Sequence, residues 1–198
     1  MKLRVINPAF LEAMKRRGID VASAQREDMR SYVCGQCHAE YYFEPASKRV
    51  VFPWDKGLKP QEMYVYYQSS PAGFEQDWQH PDSGSKMLKA QHPDYELASG
   101  GVHGKAGVSC ADCHMPYMRE GGRKYSLHWV TSPMMHIQAS CRTCHVQEEA
   151  WLLERVKAIQ KNVFELQRIA GQTIARAHET IGKANTVDRI NQMELNKA

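Results

Sequence analysis

Residues 141–184 read CRTCHVQEEAWLLERVKAIQKNVFELQRIAGQTIARAHETIGKA, and this stretch decides the fold class. Beyond its cysteines, Leu152, Val156, Ile159, Val163, Leu166, Ile169 or Ala170, Thr173 or Ile174, Ala177 and Ile181 recur at alternating steps of four and three. With 3.6 residues to a turn, that spacing lays one apolar seam along a helix. Gly171 interrupts the run and no proline does. The pattern predicts one long helix from about Gln147 to Ala184 with a coiled-coil-like seam. Periodicity leaves two uses for the seam open, packing on the chain's own body or contact with another subunit.

Upstream, Asn7-Pro8 reads as a helix start, with Asn7 as N-cap and Pro8 at the first helical position. Phe10, Leu11 and Met14 form its apolar face and Gly18 ends it. A second helix is expected from about Ser23 into Cys34. Residues 44 to 85 hold Pro45, Pro53, Pro60, Pro71 and Pro81 together with Trp54 and Trp78, and read as irregular chain. Residues 99 to 109, glycine-rich around His103, and residues 116 to 137 read as further loops. No strand pattern survives the prolines, so the fold class is mainly α, with a loop-rich region and a long C-terminal helix. The expected organisation is residues 1–146 as one region and 147–198 as the long helix.

All six cysteines fall in three copies of one motif: Cys34-Gly-Gln-Cys37-His38, Cys110-Ala-Asp-Cys113-His114 and Cys141-Arg-Thr-Cys144-His145. Two thiols three residues apart on a helical turn can add across the two vinyl groups of one haem, and the next residue offers its imidazole to the iron. Structural zinc would need paired Cys-x-x-Cys units, and three pairs leave one over. A thioredoxin-like dithiol would need a βαβ setting that is missing. The chain is therefore expected to carry three haem c groups and to be a multihaem cytochrome c, its loops wrapping haem. The histidines outside the motifs are His80, His92, His103, His128, His136 and His178, and the residues alone do not assign them. Tyr41 could pack on haem, His92 could bind iron and Glu40 could be a surface acid.

The formal charge of +4 and pI near 8.7 describe a mildly basic protein. Haem propionates and ferric cores would bring the net charge to about +1, so some Lys and Arg serve as propionate partners and nucleic-acid binding is not expected. No run of 18 apolar residues spans a membrane. Met1 to Asn7 has no apolar signal region. Because haem is attached outside the cytoplasm, a signal is expected upstream, unless the chain is a mature form.

The motifs and their flanks resemble the pentahaem cytochrome c nitrite reductases, the periplasmic ammonia-forming enzymes. The likeness rests on residues 34–43, on Phe52-Pro53-Trp54-Asp55, on Met87-Leu88-Lys89-Ala90-Gln91-His92-Pro93, on Gly101-Val102-His103-Gly104-Lys105 and on Cys110 to Pro116. It implies that the three motifs are the third, fourth and fifth haem sites. It places Glu40, Tyr41, Lys89 and Gln91 on a calcium site of hard oxygen donors. Tyr41 and His92 would then be catalytic groups of the nitrite pocket. His103 would be the distal ligand of the fifth haem and His128 that of the second, with His136 as competitor. His80 and His178 match no ligand and are expected to be solvated or core histidines.

The lysine-ligated catalytic haem motif, the second haem motif and the pocket arginine are absent, so the resemblance implies an internal-to-C-terminal segment, cut at both ends and inactive alone. It also implies six-electron reduction of nitrite to ammonium, a quinol-linked or cytochrome electron donor and a homodimer through the long helix. The rival reading is a periplasmic electron-transfer cytochrome without a substrate of its own. A related multihaem enzyme acting on hydroxylamine or a sulfur oxyanion is disfavoured by the calcium-type residues.

Overall fold

The computed structural model describes residues 4–44, 46–69, 78–87 and 92–195. Helix α1 (Pro8–Arg16) starts as its sequence dictates: the Asn7 side chain accepts from the N–H groups of Ala9 and Phe10, and Pro8 opens the first turn. Phe10 and Met14 are buried, while Leu11 is partly exposed. Gly18 takes a φ of +72°, the left-handed geometry that ends a helix without steric cost. A 3₁₀ turn (Val21–Ser23) leads to α2 (Arg26–His38), whose last turn is the first Cys-x-x-Cys-His motif.

Residues 44–85 depart from the expected irregular chain. Pro60 opens a helix, α3 (Pro60–Ser69), and the Glu62 carboxylate accepts from the Lys59 N–H at its head. Short antiparallel pairs join β1 (Tyr42–Phe43) to β2 (Val50–Val51) and β3 (Trp78–Gln79) to β4 (Lys86–Met87). Residues 99–109 are also more ordered than a loop. Helix α4 (Asp94–Gly100) and helix α5 (Val102–Lys105) share Gly101 as C-cap of one and N-cap of the other. The second motif is itself helix α6 (Cys110–His114), capped by a reciprocal Ser109–Asp112 box. Beyond it comes a hairpin of two four-residue strands, β5 (Tyr117–Glu120) with β6 (Arg123–Ser126), turning through Gly121 and Gly122. Helix α7 (Ile137–Ser140) runs into the third motif. Helix α8 spans Glu149–Leu195, longer than the seam predicted. Helices dominate and the hairpins are small, so the mainly α class holds.

The chain divides into two compact units. The first comprises residues 1–73 and 91–153 and contains all three motifs; the second comprises 74–90 and 154–198. The core of the first unit gathers Phe10, Met14, Tyr32, Ala39 and Tyr95. The Phe10 and Tyr95 rings meet edge to face at 5.1 Å, and Tyr32 closes the group at 6.0 and 6.3 Å. This aromatic cluster fixes the C-terminal half of α2, and with it the first motif, against α1 and α4. In the second unit, His80 and His178 are half-buried. Their rings stack at 4.1 Å, and the Ser83 hydroxyl lies 2.7 Å from His178 Nδ1. No helix among the described residues is long and apolar enough to cross a membrane.

Candidate haem and pocket site

Each motif lies on a helical turn. Cys34 to His38 end α2, Cys110 to His114 make up α6, and beyond α7 the N–H groups of Cys144 and His145 bond back to the Cys141 carbonyl. No pair of the six cysteines is joined in a disulfide. The motifs are also neighbours. The Cys34 and Cys110 thiols lie close enough to interact, which pushes the Cys34 thiol up and draws the Cys110 thiol down. Burial, then the nearby Cys141, push the Cys113 thiol up.

The motif histidines stand with their rings exposed and, in two of the three, with Nδ1 engaged. His38 Nδ1 lies 3.2 Å from Asp94 Oδ2, and His114 Nδ1 lies 3.0 Å from the Thr131 carbonyl oxygen. An imidazole anchored through Nδ1 is oriented and keeps Nε2 for a metal. His145 faces His103 with ring centres 6.1 Å apart and planes at 84°. Two imidazoles bound to opposite sides of one metal, each at about 2 Å, would have centres about 6 Å apart, so the spacing suits a bis-histidine iron. Large apolar side chains stand exposed beside these histidines: Val102 at 80%, Trp129 at 79% and Val146 at 86%. They adjoin His103, His128 and His145, where a porphyrin would cover apolar surface. The residues present therefore fit haem. Among the described residues, no group of three His, Cys, Asp or Glu side chains is placed to hold a metal ion by itself.

Of the calcium-type set, Glu40 and Tyr41 are described, and Lys89 and Gln91 lie outside the described residues. Glu40 is 3% exposed, so it is not a surface acid, and its carboxylate lies 3.2 Å from His92 Nδ1. Tyr41 is half-buried and meets Phe43 edge to face at 5.6 Å. The structure thus brings His92 to Glu40, the residue next to Tyr41. A buried carboxylate followed by a carbonyl is the donor chemistry that calcium takes, so the two described residues fit that ion. His128 is exposed beyond β6, and His136 is half-buried at the head of α7, where its carbonyl accepts from the Ser140 N–H and hydroxyl.

Sequence reasoning passed over the residues that hold this arrangement. Glu96 is buried, accepts from the Glu40 N–H, and has one oxygen with no hydrogen-bond partner among the described residues; burial pushes its carboxyl up to about 7. Arg30 reaches from α2 to Asp112 of the second motif at 2.7 Å and to the Tyr117 hydroxyl at 3.1 Å, with its guanidinium over the Tyr117 ring. The acid-rich start Pro93-Asp94-Tyr95-Glu96 was a readable helix-initiation signal. Its partners, far off in sequence, were not readable.

Comparison with known proteins agrees with this reading. The cytochrome c552 family model matches residues 1–198. Cytochrome c-552 of Bacteroides thetaiotaomicron is 47% identical over 90% of this chain and 36% of its own length. The cytochrome c nitrite reductase subunit NrfA of Nitratidesulfovibrio vulgaris is 42% identical over 93% of this chain and 38% of its own. Among solved structures, the cytochrome c nitrite reductase of Desulfovibrio desulfuricans superposes with a TM-score of 0.83 at 41% identity, covering 94% of this chain and 41% of that one. That structure is described for the two calcium sites of its catalytic subunit. The chain thus spans between a third and a half of the length of these proteins. With a family model matched from end to end and a fold shared at this identity, the chain belongs to the cytochrome c552 family, that of the pentahaem nitrite reductases.

Proposed function

We propose that this chain is the part of a periplasmic, ammonia-forming nitrite reductase that carries its third, fourth and fifth haems, one calcium site and part of the nitrite pocket. The observation that carries the reading is the His103–His145 pair, whose ring centres lie 6.1 Å apart, a spacing at which both residues could hold one iron. Cys34 and Cys37, Cys110 and Cys113, and Cys141 and Cys144 would form the thioethers. His38, His114 and His145 would bind iron from the motif side, His103 would complete the fifth site, and His128 would serve the second haem of the whole enzyme. Haem, when bound, supplies one-electron redox chemistry at its iron.

The protein residues do the rest. Asp94 and the Thr131 carbonyl orient imidazoles. Glu40 and the Tyr41 carbonyl offer calcium its oxygens, with Lys89 and Gln91 assigned beside them by resemblance. The Tyr41 hydroxyl and the His92 imidazole hold protons at the pocket. His92 Nδ1 lies 3.2 Å from the Glu40 carboxylate, and an imidazole held there would offer an N–H to an anion in the pocket. A quinol-linked or cytochrome donor would deliver the electrons, and the exposed seam of α8 would form a homodimer interface.

The test is intact mass together with a pyridine haemochrome assay on protein matured outside the cytoplasm. Three haems bound through six thioethers are expected. Free thiols, disulfides or zinc at those cysteines would overturn the reading.

A further inference from the structure

We infer that Asp94 is a positioning residue that sets the reduction potential of the haem held by Cys34, Cys37 and His38, by giving its axial imidazole an anionic hydrogen-bond partner. The inference rests on the haem-binding reading above. It goes beyond that reading by distinguishing one haem from its neighbours.

The geometry is built rather than incidental. His38 is the last residue of α2 and Asp94 the first of α4, 56 positions apart, with Nδ1 and Oδ2 at 3.2 Å. Both sequence neighbours of Asp94 are immobilised. Pro93 is buried, and Tyr95 is 7% exposed and locked edge to face on Phe10. Tyr95 also rests on the motif itself: a Cβ added to Gly35 would meet the Tyr95 ring at 2.9 Å and the Phe10 ring at 2.5 Å. Helix α4 is therefore seated on the backbone of the first motif, and Asp94 cannot drift from His38 without lifting Tyr95 out of the core.

The neighbouring motif supplies the contrast. His114 Nδ1 is matched with a neutral carbonyl, that of Thr131, at 3.0 Å. A carboxylate draws the Nδ1 proton more strongly than a carbonyl does, because the bond is charge-assisted. The ring then carries more negative charge and becomes a stronger donor to a metal at Nε2, which favours the ferric state. This term lowers the potential of the haem on His38 and leaves the haem on His114 untouched. Asp94 also faces the positive end of α4, as a first-turn acid does, and a helix-end role alone would leave the potential unmoved.

The experiment uses the full chain matured with its haems, comparing wild type with Asp94→Asn, Asp94→Ser and Asp94→Glu. Intact mass first counts the haems, and a potentiometric titration followed by electron paramagnetic resonance then resolves them. In the neutral variants one haem of the three is expected to move positive by about tenfold in its ferric–ferrous equilibrium, or about 59 mV for one electron. Asp94→Glu, which keeps the charge, is expected to return most of that shift. Three attached haems with every midpoint unmoved in both neutral variants would overturn the inference and leave the haem reading standing. An Asp94→Glu shift as large as that of Asp94→Asn would likewise overturn it, since the carboxylate charge would then not be what sets the potential. A wild-type chain without haem at Cys34 and Cys37 would remove both the reading and the inference.

Discussion

At the scale of single residues, the Arg30–Asp112 pair shows how one contact can join two motifs. Burial alone would raise the Asp112 carboxyl. The Ser109 hydroxyl and N–H, together with Arg30, outweigh it and hold the carboxyl below the usual carboxylate range. A depressed carboxyl adds stability that is fully present above the unfolded value and is lost as pH falls through the folded one. Arg30→Met is expected to cost about 1 kcal/mol at neutral pH, a figure kept low because solvent reaches the pair. In urea titrations that cost should shrink once acid takes the pH below about 4, where unfolded aspartate protonates. A cost that stays constant well below that pH would assign the effect to Arg30 stacking on Tyr117 instead. In the complete enzyme, Tyr41→Phe is expected to reduce nitrite turnover by on the order of a hundredfold with haem content unchanged, as the loss of one placed proton donor would. Unaltered turnover would take Tyr41 out of the chemistry. The six cysteines and their histidines were legible in the sequence because thioether chemistry dictates both residue type and spacing. Asp94 and Thr131 were not, since one acts across 56 positions and the other through its backbone carbonyl, which no side chain advertises.

At the scale of elements, the α4–α5 corner makes a sharp demand on sequence. A Cβ on Gly104 would meet the Ala98 carbonyl oxygen at 2.3 Å and the Ser99 backbone at 2.7 and 2.8 Å. These neighbours are backbone atoms and cannot rotate away. Gly104→Ala is expected to push α5 off α4 and carry His103 away from His145. Dithionite-reduced protein should then bind carbon monoxide at one more haem than wild type; an unchanged carbon monoxide difference spectrum would show that the corner gives way without moving the ligand. Elements with strong local signals were readable, as the Asn7-Pro8 start of α1 and the seam of α8 show. Helix α3 was hidden because it is weakly one-sided: Tyr64 and Val65 face solvent, and Tyr67 is its buried residue. The β5–β6 hairpin was hidden because Arg119, Glu120, Arg123 and Lys124 flank its Gly121-Gly122 turn, so no apolar alternation marks the strands. The glycine pair itself was a hairpin signal that went unread.

At the scale of the molecule, the seam of α8 beyond Val156 is largely exposed among the described residues. Ile159, Val163, Leu166, Ile169, Ile174 and Ile181 are each between 41% and 67% exposed. If the helix pairs with a second copy, Val163→Lys combined with Leu166→Lys should halve the sedimenting mass while all haems stay bound. A mass unchanged by the double substitution would exclude this seam as the interface. The exposed Val102, Trp129 and Val146 make a second expectation at this scale. Protein expressed without haem attachment should bind a hydrophobic dye that the loaded protein excludes. Equal dye binding by both forms would mean that porphyrin does not cover these side chains.

The closeness of the Cys34 and Cys110 thiols has a bearing on biogenesis. On the proposed haem assignment the two sulfurs would serve different porphyrins, yet before either porphyrin arrives each has the other as an oxidisable neighbour. In an oxidising compartment a crosslink between them would disable two attachment sites at once. A chain matured outside the cytoplasm, as proposed above, would be in a race, and a thiol reductant present during maturation should raise the yield of fully loaded protein.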